Sequence, residues 1–185
     1  MVYAHAFTQS EPIMGYDQIR WGASVNDVRR AYNFGNNIAL QQNYENNPDI
    51  AALVQENVSE SIAERLFLFN KWGANDYRLY RVWVTYRNNS VTLQNLISGL
   101  TSRFGNSTDH NRVTGNCVNG TTSRDTTETF VFGQYSPELV VELIQTRCQH
   151  MLDMNTFSII DINYLQVCYT WKTFRDRYNS RNIDF

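Results

Sequence analysis

The chain of 185 residues carries 16 Lys and Arg against 18 Asp and Glu, a formal net charge of -2, so it lacks the overall positive field that holds a nucleic-acid backbone. Hydrophobic residues make up 42% and charged ones 18%, with 10 Phe, 11 Tyr and 4 Trp; this composition argues for an aromatic-rich core and against intrinsic disorder. No apolar run approaches the roughly 20 residues of a spanning helix, and the length suits one domain that folds without metal or disulfide. A soluble chain with no transmembrane segment is therefore expected.

In chain order, "MVYAHAFTQ" contains Ala4-His5-Ala6, the small-x-small pattern at which leader peptides are cut. It reads as the stub of a longer leader and implies a periplasmic or secreted location. Residues 1–20, with Pro12 and Gly15, read as leader remnant and irregular lead-in; residues 21–185 read as a single domain. Ser24 with Asp27 offers a capping box before a short helix over about 25–33, whose Val25, Val28 and Tyr32 fall at i, i+3 and i+7. "NFGNN" ends it.

Three strand candidates follow. "AALVQENV" competes with a helix begun at Pro48-Asp49, whereas "RLFLFNK" and "RLYRVWVTYR" are dense in aromatic and β-branched residues and flank the turn "WGANDY". The spacing predicts a second helix over about 92–104, with Leu93, Leu96, Ile97, Leu100 and Phe104 on one stripe and Gly105 at the C-cap. Ile97, Leu100 and Phe104 repeat the spacing of the first helix. "NSTDHNRVTGNCVNGTTSRD" reads as a long loop. "TTETFVFG", "ELVVELIQTR" and "IIDINYLQVCYT" read as strands, though "PELVVELIQTRC" suits a helix as well. "WKTFRDRY" reads as a short C-terminal helix.

The pattern predicts an α+β fold: two α-β-β-β units, about 21–89 and 90–185, share one antiparallel sheet with helices packed on one face, because neither unit closes a core alone. "WGASVNDVRRAYN" followed by aromatic strands, then "LISGLTSRFG" followed by more strands, resembles the tandem helix-sheet units of β-lactamase inhibitor proteins and of the small lipoprotein of the outer-membrane assembly machinery. That resemblance implies an extracytoplasmic protein that acts by binding other proteins.

Chemistry-bearing residues are few. Cys117, Cys148 and Cys168 show no C-x-x-C spacing; ladder counting brings Cys117 near Cys148 for a disulfide, and Cys168 reads as a buried inert thiol. Cys148, His150 and Asp153 sit close in sequence, and Glu138 and Glu142 share a face, so a small cleft-type hydrolase using Cys148 and His150, or a carboxylate pair, is the alternative function. No metal-ligand spacing, Walker loop or G-x-G-x-x-G run occurs, so neither a metal nor a cofactor is expected. Four N-x-S/T sequons among 21 Asn match chance and carry no message.

Arg outnumbers Lys by 14 to 2, a bias that suits aromatic-rich surfaces or an interface. In "RLYRVWVTYR" strict alternation puts Tyr80, Val82, Val84 and Tyr86 on one side and Leu79, Arg81, Trp83, Thr85 and Arg87 on the other. The first set reads as core. The second reads either as a recognition face of Arg81, Trp83 and Arg87, with Trp72 and Tyr77 at its rim, or as Trp83 covered by a loop while the arginines shield the sheet edge. The function expected is a non-catalytic extracytoplasmic binding module of a bacterial cell envelope, with a protein or other envelope component as partner and no nucleic acid.

Overall fold

Runs of aromatic and β-branched side chains favour extended backbone, and the computed structural model, which describes residues 15–34, 38–74, 76–87, 90–116, 124–133, 139–153 and 158–172, is mostly strand. A small pair, β1 (Gly15–Tyr16) and β2 (Ile19–Arg20), precedes α1 (Val25–Ala31). Then come β3 (Gln41–Gln42), β4 (Ile50–Glu56), β5 (Ile62–Gly73) and β6 (Asp76–Tyr86), followed by α2 (Leu93–Phe104). The chain continues through β7 (Asp109–Asn116), β8 (Arg124–Phe132), β9 (Leu139–Asp153) and β10 (Ser158–Trp171).

Eight of these strands form one sheet in the order β3-β4-β5-β6-β10-β9-β8-β7, and each neighbouring pair is antiparallel. Two four-stranded meanders therefore meet through their last strands, Val84 of β6 standing opposite Val167 of β10. The segment carrying α2 takes the chain from the middle of the sheet to its far edge.

The expected α+β architecture is corrected by this topology. The fold is mostly β, the two helices span 7 and 12 residues, and each half contributes four strands to the large sheet where three were expected. The extra strands are polar. β3 is two glutamines, and β7, "DHNRVTGN", lies inside the stretch that reads as a loop. β7 forms because its backbone pairs with β8 along its whole length, from Asp109 opposite Val131 to Asn116 opposite Arg124; an edge strand needs no apolar face to satisfy that ladder. "ELVVELIQTR" is strand, held between β8 and β10. The region read as a C-terminal helix lies, beyond Lys172, outside the described residues.

Local signals do hold at the helix starts. Ser24 Oγ accepts from the Asp27 amide at 3.3 Å, and Ser24 N–H donates to Asp27 Oδ2 at 3.1 Å, the reciprocal box that satisfies two unpaired donors. That bonding to Ser24 holds the Asp27 carboxyl below its ordinary value. Thr92 caps α2 through the Asn95 amide, and Gly105 closes it at φ 87, donating to the Thr101 carbonyl. Only glycine adopts that backbone without strain.

The core is built on one face of the sheet. Phe67, Phe69, Leu79, Val82, Val84, Phe132, Leu139, Val141, Leu143 and Val167 join Ile19, Trp21, Tyr32 and Phe34, while the helices add Val28, Leu100 and Phe104. Strand side chains thus supply most of the apolar burial that drives folding. On the outer face a smaller cluster of Ala52, Leu68 and Tyr80 is flanked by Tyr44, Ile50, Leu66 and Trp83.

Candidate functional site

A β-bulge decides which residues of β6 face outward. Pairing with β5 runs Phe67 opposite Val82 and Leu68 opposite Arg81, then jumps to Phe69 opposite Leu79, so Tyr80 is the inserted residue. Leu79, expected on the recognition face, is 0% exposed in the core. Tyr80, expected in the core, joins the outer cluster. Beyond the bulge the alternation resumes, with Val82, Val84 and Tyr86 on the core side.

The structure separates the five residues singled out for binding. Arg81 and Trp83 share the outer face: Arg81 Nε donates to Thr170 Oγ1 at 3.1 Å, its guanidinium lies 5.5 Å from the Tyr80 ring centroid, and Trp83 is half-buried against the outer cluster. Trp72, 52% exposed near the far end of β5, sits at a further irregularity where the pairing passes from Lys71 opposite Tyr77 to Gly73 opposite Asp76, so alternation from Leu68 does not carry through it. Tyr77 packs against the core and faces away from Trp83. Arg87 lies past the end of β6 and clamps the β4–β5 turn: its side chain donates to the Ser59 carbonyl at 3.2 Å and to Asn57 Oδ1 at 2.8 Å, and its amide donates to the Ser61 carbonyl.

An open pocket of about 510 Å³ occupies the outer face beside that turn, lined by Glu56, Asn57, Ala63, Glu64, Thr85, Thr146, Tyr164 and Gln166. Five strands build it. Glu56 of β4 stands directly opposite Glu64 of β5, Ala63 is skipped by a second bulge, and Gln166 Nε2 donates to Thr85 Oγ1 at 3.1 Å between β10 and β6. Tyr164, two residues before Gln166 on β10, is 45% exposed. Sequence reading missed this constellation, although ladder counting about the turn between β4 and β5 pairs Glu56 with Glu64.

The strongest electrostatic shifts lie on the core side. Burial pushes the Tyr16 hydroxyl up to about 12, against the opposing pull of the Arg65 guanidinium, and burial likewise raises Tyr32, Tyr86 and Tyr169. These phenols stay neutral at physiological pH and serve as packing groups: Tyr16 and Tyr169 lie 4.9 Å apart between ring centroids, and Tyr32 lies 4.8 Å from Phe67.

Of the residues read for alternative chemistry, Cys168 is buried as expected, its Sγ 3.5 Å from Thr170 Oγ1. Cys148 and His150 belong to β9, Glu142 lies opposite Cys168 on the outer face, and Cys117 and Glu138 fall outside the described residues, as does the bridge expected for Cys117. Among the described residues no group of three or more His, Cys, Asp or Glu could hold a metal, and no helix is long and apolar enough to cross a membrane. Compared with protein-family models, curated proteins and solved structures, the chain matches none.

Proposed function

We propose that the chain is a non-catalytic binding module whose outer sheet face recognises a protein partner. The observation that carries this reading is the grouping of half-buried Trp83, Arg81 and exposed Tyr164 with a pocket on one face of the eight-stranded sheet. Aromatic and guanidinium groups held by a scaffold are the side chains from which binding hot spots are made, and a sheet presents them with little conformational freedom left to lose. An extracytoplasmic setting in a bacterial envelope belongs to the proposal and is supported by the Ala4-His5-Ala6 motif. Trp83 and Arg81 are its central contacts.

The test places a photo-crosslinking amino acid at position 83 and, as control, at Arg112 on the opposite face, then exposes the protein to an extract of its source cells. A discrete adduct from position 83 and none from 112 is expected, and the Trp83→Ala/Arg81→Ala double variant, folded by circular dichroism, loses the interaction. Capture that persists in the folded double variant removes the assignment.

A further inference from the structure

We infer that the outer-face pocket between Glu56, Glu64 and Tyr164 receives a lysine or arginine side chain from a basic segment of the protein partner. This rests on the binding reading above and adds the partner's chemistry to it. Antiparallel register fixes Glu56 opposite Glu64, and side chains directly opposite on one face approach within about 5 Å at Cβ. Like charges so placed oppose folding. No cation offsets them: among the described residues the ion pairs engage Asp27, Asp76 and Glu128. Arg87, whose guanidinium reaches the turn, is held by Asn57 and the Ser59 carbonyl and forms no ion pair with either glutamate.

The rest of the lining suits an organic cation with an alkyl stem. Tyr164 offers an exposed ring, the surface against which such stems pack and over which ammonium or guanidinium groups are attracted. Gln166 spends its amide nitrogen on Thr85, which turns the carbonyl end of the same group away from Thr85 as an acceptor, and Thr146, its hydroxyl 3.4 Å from Thr127 Oγ1, completes the lining. Charge extends the argument across the face. Glu142 lies on the same side, opposite Cys168, while Arg81 is turned to Thr170 and the Tyr80 ring. A basic strand or loop laid over this surface therefore meets complementary charge at the pocket and the Trp83 side chain beside it.

The experiment titrates the 15N-labelled full chain with a fluorescent peptide of alternating lysine and serine, and with its glutamate counterpart. Expected are amide shifts at Glu56, Glu64, Tyr164 and Gln166 with the lysine peptide and none with the glutamate peptide. Affinity read by fluorescence polarisation should fall roughly ten-fold in Glu56→Gln/Glu64→Gln, several-fold in Tyr164→Ala, and with added salt. Shifts confined to other residues, or unchanged affinity in the glutamine double variant, overturn the inference. The cross-linked partner provides the separation from the broader reading: a partner retained by Glu56→Gln/Glu64→Gln but lost by Trp83→Ala/Arg81→Ala overturns the charge assignment alone, whereas retention by both sets overturns the two together.

Discussion

Glu56 and Glu64 face each other across adjacent antiparallel strands, on the outer side of the sheet, and among the described residues neither forms an ion pair. Opposed like charges destabilise a strand pair, and an opposite-charge pair contributes about 0.2–1 kcal/mol relative to alanines.

Replacing Glu64 by lysine should therefore raise stability by about 0.5–1 kcal/mol, read as a shift in the urea midpoint at unchanged slope. The gain should shrink in high salt, since both groups reach solvent. The same substitution should weaken capture of a basic peptide, the trade of stability against function that binding sites commonly show. Equal stability at low salt would mean that the two carboxylates do not interact.

The bulge at Tyr80 sends its two neighbours, Leu79 and Arg81, to opposite faces of the sheet, and their alanine variants should show it. Leu79 is wholly buried among Phe69 and Val82, so Leu79→Ala should cost about 2–5 kcal/mol through lost burial and the cavity left behind. Arg81→Ala removes a partly exposed contact to Thr170 and should cost about 1 kcal/mol. Strict alternation places both residues on one face with similar costs. Comparing the two unfolding midpoints distinguishes these registers.

What could be read from the chain and what could not divide along the range of the forces involved. The Ser24–Asp27 box and the Thr92 and Gly105 caps are local, set by residues within one turn, and their positions follow from sequence. β5 and β6 are legible because their side chains fill the core. β7 is invisible because an edge strand carries no apolar alternation, and its backbone partner lies beyond a turn that composition alone describes as loop. The excess of strand over helix comes from the length of β5, β6, β9 and β10, which run 12, 11, 15 and 14 residues against helices of 7 and 12; the short apolar runs from which an α+β balance is expected understate that length. The candidate site was half legible. Arg81 and Trp83 stand two residues apart on the same face, but Tyr80 changes sides because its neighbours Arg81 and Leu79 pair with the consecutive residues Leu68 and Phe69, a long-range event, and the pocket needs five strands to assemble.

Arg87 is a clamp on the β4–β5 turn, holding Asn57, Ser59 and Ser61 from beyond the end of β6. Arg87→Ala should leave the core intact and cost about 1 kcal/mol. Its signature is local: faster hydrogen exchange at the Asn57 and Ser59 amides, which bond to Ala63 and Ile62 carbonyls, with exchange of the β6–β10 ladder unchanged. Because the same turn frames the pocket, the variant should also bind a basic peptide less tightly. Uniformly faster exchange across the sheet would give Arg87 a global role instead.

The buried tyrosines set the behaviour of the fold in alkali. Burial pushes Tyr16 from its ordinary 10.0 up to about 12 and raises Tyr32 and Tyr169 further in the same direction. The folded chain thus keeps protons that the unfolded chain gives up near its ordinary value, and wherever the native state binds more protons, stability falls as pH rises. The contribution is complete below about pH 10 and declines as pH climbs through about 12. Urea midpoints should accordingly stay level on the approach to pH 10 and then drop steeply. Tyr16→Phe, which removes one titrating group but keeps the ring against Tyr169 and Phe67, should make the drop shallower. Arg65→Met should make it steeper, because the guanidinium lowers the affinity of Tyr16, Tyr32 and Tyr86 for their protons, and its loss drives those values higher still. A midpoint independent of pH over this range, in the parent and both variants, would show that these phenols are open to solvent.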